Sequence, residues 1–120
     1  MTGQLTANDV ALQLAKLSRQ LDELVHEIGR AEVAAVNARE DYTLALSKAF
    51  LRAEGPMDVR KHQSIETTHT ERLAAETAEA VVRGLRRQID TVRVRIDVGR
   101  SVGAAVRSEI SLAGRDGAAA

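Results

Sequence analysis

Apolar residues and glycines recur along this chain in two ladders of alternating four- and three-residue steps. The first runs through Val10, Leu14, Leu17, Leu21, Leu24, Ile28, Ala31, Ala35, Ala38, Tyr42, Ala45 and Ala49. The second runs through Ala75, Ala78, Val82, Leu85, Ile89, Val92, Ile96, Gly99, Gly103, Val106, Ile110 and Ala113. A repeat averaging 3.5 residues stays on one face of a gently supercoiled helix, so each ladder is the seam of a coiled coil. The pattern predicts an all-α protein, a long antiparallel helical hairpin that assembles into a helical oligomer. No sustained period-two run with β-branched enrichment signals a strand.

The ends of the elements are written in local chemistry. Thr6 and Asp9 have the spacing of a capping box, a hydroxyl for free helix N–H groups and an acid near the positive helix end. Gly55-Pro56 then stops the pattern, because proline lacks the N–H and disfavours helix at the residue before it. Asp58 is a candidate N-cap for the following helix. The expected domain is a single hairpin over residues 1–120: helix one over about 7–53 and a turn over about 54–60. Helix two begins near 61 or 71 and ends at about 113, before a mobile tail over 114–120 with Gly114 as C-cap. The stretch from Val59 to Thr70, rich in Thr and His, reads either as a frayed helix start or as a short separate helix. An antiparallel fold at the turn sets Gly99 and Gly103 against the Leu14–Leu21 end of helix one, small residues facing large ones.

Two helices enclose only a seam, and only Tyr42 and Phe50 are aromatic, so further copies are expected to add stability. Apolar residues off both seams point the same way: Leu12, Val25, Val33, Val36, Leu44, Leu46, Phe50 and Leu51 on helix one, and Val81, Val94, Val98, Val102 and Leu112 on helix two. Gly99, Gly103, Val94, Val98 and Val102 are therefore candidate oligomer or helix contacts. Gly99 and Gly103 form a G-x-x-x-G, but outside an apolar twenty-residue span this signals close helix approach in water. The chain has no cysteine, no signal-peptide pattern at its start and no run of about eighteen apolar residues, so a cytoplasmic protein without membrane contact is expected.

The formal charge is zero, with 17 basic and 17 acidic residues, yet the balance is uneven. Between Arg83 and Arg107 seven arginines face two acids, Asp90 and Asp97, a local charge of about +5. Four of them, Arg86, Arg93, Arg100 and Arg107, stand seven apart, each just after a seam position, in one column spaced about 10 Å. In an antiparallel hairpin this column faces Ala11, Ser18, Val25 and Glu32, of which one is acidic. The local partners Arg86–Asp90 and Arg93–Asp97 are in the weaker cation-first order. A guanidinium ladder suits a phosphate backbone, because arginine offers a planar multi-donor fork. It equally suits a charged subunit interface or a solvated helix face.

Other chemistry is sparse. His62, Glu66 and His69 fall at i, i+4 and i+7, a face that can offer metal ligands, but a di-iron bundle needs a second such motif. No metal site, other cofactor or small-molecule substrate is expected. Phosphate loops, a nucleophile elbow and an acid–base pair are all missing, so the chain reads as non-enzymatic.

The segment Ala35-Val36-Asn37-Ala38-Arg39-Glu40-Asp41-Tyr42 resembles the phage UvsY recombination mediators, whose pattern there is Ala-x-Lys-Ala-Arg-x-Asp-Tyr. The layout is similar as well, a small helical chain with a break and then a long closing helix. On this resemblance Arg39 matches a DNA-contacting arginine, and Asp41 and Tyr42 match the acidic–aromatic pair. Asn37 stands where the family has its lysine, and the match spans about eight residues. The resemblance implies a homo-oligomer that binds single-stranded DNA and helps load a recombinase. The expected function is non-enzymatic binding of single-stranded nucleic acid through Arg39, Arg86, Arg93, Arg100 and Arg107. The alternative is a structural or adaptor coiled coil, a phage or bacterial assembly factor acting through protein–protein contacts.

Overall fold

Three helices, α1 (Ala7–Arg52), α2 (Met57–Thr67) and α3 (His69–Ala119), form an all-α helical hairpin. The computed structural model describes the backbone of residues 4–119 and the side chains of residues 4–115. What the sequence suggests for Met1–Gly3 and Ala120 lies outside these residues.

α1 begins with the reciprocal capping box expected of Thr6 and Asp9. The Thr6 N–H donates to Asp9 Oδ2 and the Asp9 N–H donates to Thr6 Oγ1, both at 3.1 Å. At its other end Gly55 takes φ +106°, a left-handed conformation that other residues adopt only with strain. Pro56, extended at φ −61° and ψ 160°, is the N-cap of α2. Asp58 is thus not the cap; it lies in the first turn of α2, where its charge complements the helix dipole.

The uncertain stretch resolves as a separate short helix. α2 ends at Thr67 and α3 starts at His69, earlier than the Glu71 start the seam suggests, with Thr68 between them at φ −105° and ψ 16°. The backbone N–H of Thr68 and its hydroxyl both donate to the Ser64 carbonyl, at 3.1 and 2.7 Å. A threonine hydroxyl competing for a helical carbonyl favours such a joint. Ser64 and Thr68 are buried, and each hydroxyl is satisfied within its own turn: Ser64 donates to the Lys61 carbonyl at 2.8 Å. α3 also continues through Gly114 to Ala119, so Gly114 is not a cap and the helix occupies most of the segment expected to be a tail. A lone glycine costs a helix about 1 kcal/mol, and the alanines at 118 and 119 favour continuation.

The chain divides into two units. The first comprises residues 1–25 and 87–120. Its seam buries Val10, Leu17, Leu24, Ile89 and Val92, as the ladders predict. Burying side chains of this size contributes about 1.5–3 kcal/mol each. A Cβ on Gly99 would lie 2.7 Å from Leu14 Cδ2, and one on Gly103 would lie 3.2 Å from Val10 Cγ1. The glycines therefore admit the branched ends of α1 side chains of the same chain, which sets the antiparallel register. The second ladder is inward-facing only as far as Val106. Ile110 and Ala113 are exposed, since in that register α1 begins level with Val106.

The second unit comprises residues 26–86 and contains the turn and α2. Ala35, Ala75, Val82 and Leu85 are buried, while Tyr42 and the remaining α1 seam residues are half-buried. Arg60 of α2 donates to the Phe50 carbonyl at 3.1 Å, and its Cζ lies 4.6 Å from the Phe50 ring centroid. One cation thus satisfies a carbonyl at the orphaned C-terminal end of α1 and covers its aromatic ring. Among the described residues no helix is long and apolar enough to cross a membrane.

The glycines give a direct test of this packing. Gly29 is exposed inside α1 and a Cβ there meets nothing within 4 Å, so Gly29→Ala should raise unfolding free energy by about 1 kcal/mol. Gly99→Leu forces a side chain into space held by Leu14 and should lower it by about 1–3 kcal/mol. Urea titration of both variants measures the pair; equal effects would mean that Gly99 is not a packing contact.

Candidate nucleic-acid interface

The 3.5-residue repeat that buries the seam also aligns what flanks it. In the first unit Arg93, Arg100 and Arg107 follow one another at seven-residue intervals along α3, all exposed, about 10 Å apart. Arg93 and Arg100 share a shallow groove with Asp97 of α3 and with Leu14, Ala15 and Ser18 of α1. The α1 side of this groove carries no carboxylate, in keeping with the expected opposition of the column to Ser18. Asp97 lies in the groove without pairing with either arginine at 4.0 Å or less. Among the described residues the ion pairs are Arg39–Glu79 and Arg72–Glu76, so Arg86–Asp90 and Arg93–Asp97 do not form.

Arg107 occupies a neighbouring hollow with Ala104, Ser108, Ser111, Leu112 and Arg115. Its Nη1 lies 3.8 Å from where a Cβ on Gly103 would stand, so the guanidinium folds back along the helix. Arg115 is a cation that the ladder reading leaves out, since it placed residue 115 in the tail. The continuation of α3 beyond Gly114 lets it line the same hollow, two turns along the helix from Arg107.

The second unit holds the other two predicted arginines, and they differ. Arg86 is exposed and makes no ion pair. Arg39 is half-buried, pairs through Nη2 with Glu79 Oε1 across α1 and α3, and has its Cζ 5.5 Å from the Tyr42 ring centroid. The Glu79 hydrogen bond raises the Arg39 pKa above its ordinary value, and the same bond holds the Glu79 carboxyl below 4.5. Of the eight residues that carry the family resemblance, Arg39 is thus engaged within the chain and Asp41 is exposed. Tyr42 is a half-buried seam residue.

Val94 and Val98 are exposed and Val102 is half-buried, on the side of the seam away from Arg93 and Arg100. His69 Nδ1 lies 3.1 Å from Arg72 Nη2. Among the described residues no three His, Cys, Asp or Glu side chains gather where they could hold a metal ion. The Nε atoms of Arg60 and Arg72 are buried without a hydrogen-bond partner. Compared with protein-family models, curated proteins and solved structures, the chain matches none.

Two carboxylates have lowered pKa values, and both act in the same direction. Thr6, first through its backbone N–H and then through its hydroxyl, holds Asp9 below 3.8, and Arg39 holds Glu79 below 4.5. Each contributes stability that is complete above the unfolded-state value and lost as pH falls through the lowered folded-state value. Urea midpoints measured from about pH 5 to pH 2 should therefore decline with acid. Arg39→Met should make that decline shallower, since it removes the Glu79 share and leaves that of Asp9. An unchanged slope would show that the Arg39–Glu79 pair adds nothing in solution.

Proposed function

We propose that this chain is a non-enzymatic, homo-oligomeric helical-hairpin protein that binds single-stranded nucleic acid through its phosphates. One observation carries the proposal: Arg93, Arg100 and Arg107 stand exposed along one helix edge with no carboxylate at ion-pairing distance. An arginine fork without an internal partner is free to donate two parallel hydrogen bonds to a phosphate. Such contacts release condensed counterions and carry no base information, so binding is sequence-tolerant and salt-sensitive. With Tyr42 on the seam and Phe50 against Arg60, aromatic stacking adds little, and affinity depends on several edges acting together. The resemblance around Ala35–Tyr42 supports single strands as the ligand and a recombinase as the protein partner, the role of a recombination mediator.

A second reading, a structural or adaptor coiled coil acting through protein–protein contacts, is favoured by exposed apolar side chains such as Leu12, Val33, Val36 and Leu51. The two part company on the arginines. The adaptor reading has them met by acidic residues of a partner.

Fluorescence anisotropy with a labelled single strand of about thirty nucleotides tests the proposal. Three phosphate contacts predict a slope of log K against log salt of about −2 for each arginine edge engaged. Changing Arg93, Arg100 and Arg107 together to Ala should abolish most of that slope while leaving helicity unchanged. Undiminished binding by the triple variant, or no binding by the natural chain at low salt, overturns the reading.

A further inference from the structure

A carboxylate stands within the arginine edge, and phosphate binding alone gives it no role. Asp97 follows Arg93 by four residues and precedes Arg100 by three, so the three share one face of α3. The two arginines are about 10 Å apart along the helix, with the acid between them. Among the described residues Asp97 forms no ion pair with either arginine. The groove that the three line has a volume of about 570 Å³, and Leu14, Ala15, Leu21 and Ile96 give it an apolar surface beside Ser18. An acid on an edge that only gripped phosphates would repel the strand. Here it faces a hollow with a cation at each end and aliphatic surface between them. Those groups suit a flat ring that is apolar on its face and carries hydrogen-bond donors on its rim.

We infer that this groove takes one unstacked base of the bound single strand, and that Asp97 selects guanine there. Phosphates held by Arg93 and Arg100 are about three nucleotides apart at about 3.4 Å of rise per nucleotide. The nucleotides between them have no arginine of their own, so one is free to turn its base onto the aliphatic surface. Bases splayed from a single strand are read on their Watson–Crick edges. A carboxylate accepts through two oxygens in a fork, and it is best met by two parallel donors. Guanine alone offers two adjacent donors on that edge, N1–H and the N2 amine. Thymine sets its single N–H between two carbonyl oxygens. Adenine and cytosine each set an amino group beside a bare ring nitrogen, so all three also turn an acceptor toward the acid. Ser18 brings a hydroxyl that can donate to guanine O6. This inference rests on the phosphate reading and deepens it: the arginines hold any strand, and the groove adds a preference among bases.

Anisotropy titrations with three strands of about thirty nucleotides test it. One strand is all thymidine, the second has guanosine at every third position, and the third has inosine in place of each guanosine. The natural chain should bind the guanosine strand at least about ten-fold more tightly than the thymidine strand, the effect of one good bidentate base contact. Inosine lacks the N2 amine but keeps the fused ring, so its strand should lose most of that gain. Asp97 is exposed, so Asp97→Asn leaves the helical content unchanged by circular dichroism. This variant should bind the thymidine strand at least as tightly as the natural chain does, with the guanosine-to-thymidine affinity ratio brought close to one. Glu109→Gln removes the same charge from another side of α3 and should leave the ratio as it is in the natural chain. Equal affinity of the natural chain for the guanosine and thymidine strands, with the salt slope intact, overturns this inference alone. A ratio that survives Asp97→Asn, or an inosine strand bound as tightly as the guanosine strand, does the same. No binding of any strand at low salt overturns the phosphate reading and this inference with it.

Discussion

Everything in this structure depends on one apolar seam. Two long helices have a single narrow stripe each to bury, and their stability must come from keeping those stripes together. That requirement explains the length of the ladders, the glycines where an aliphatic branch enters the partner helix, and the capping box that holds the first turn of α1. It also explains what happens at the far end of α3. Ile110 and Ala113 continue the repeat correctly and are nevertheless exposed, because a seam position is buried only where a facing helix exists.

A seam leaves two flanks, and in the first unit they have become chemically distinct. One carries Arg93 and Arg100 opposite alanine and serine; the other carries valines and leucine with one charge of each sign. A surface arginine matched by an acid gives little stability, since water and salt screen the pair. An arginine left unmatched costs the fold equally little and remains available to an external phosphate. The valine flank is different, because aliphatic surface in water is unfavourable in proportion to its area whatever the salt. The second unit shows the flank in its satisfied form, with Arg39 and Glu79 closing across the helices and Tyr42 beside them. The same position on the repeat is thus paired within the chain at one place and unpaired at another. The difference is set by the side chain that α1 presents.

The segment around α2 obeys other rules. Its buried groups include two hydroxyls, and they are tolerated because each reaches a carbonyl within its own turn. Arg60 ties this short helix to the end of α1 by a hydrogen bond and a cation–ring contact at once. Neither interaction follows a repeat, which is why the Thr- and His-rich stretch gave no seam to read.

By itself the sequence determined the all-helical class, the inward face of nearly every turn, the start of α1 and the turn at Gly55-Pro56. These are local or strictly periodic properties: a 3.5-residue repeat, a hydroxyl three residues before an acid, a proline without an N–H. The arginine column was legible on the same ground, as a seven-residue spacing. Only the tertiary structure decided which member of a pattern is engaged, because that depends on what the other helix places opposite. It showed Arg39 committed to Glu79, and Arg93 and Arg100 without a carboxylate partner. It also put Arg115 on the same helix as Arg107, by extending α3 through a glycine that local preference would have made its end. Register between helices far apart in sequence is set by packing, as where Gly99 receives Leu14, and no single stretch of residues encodes it.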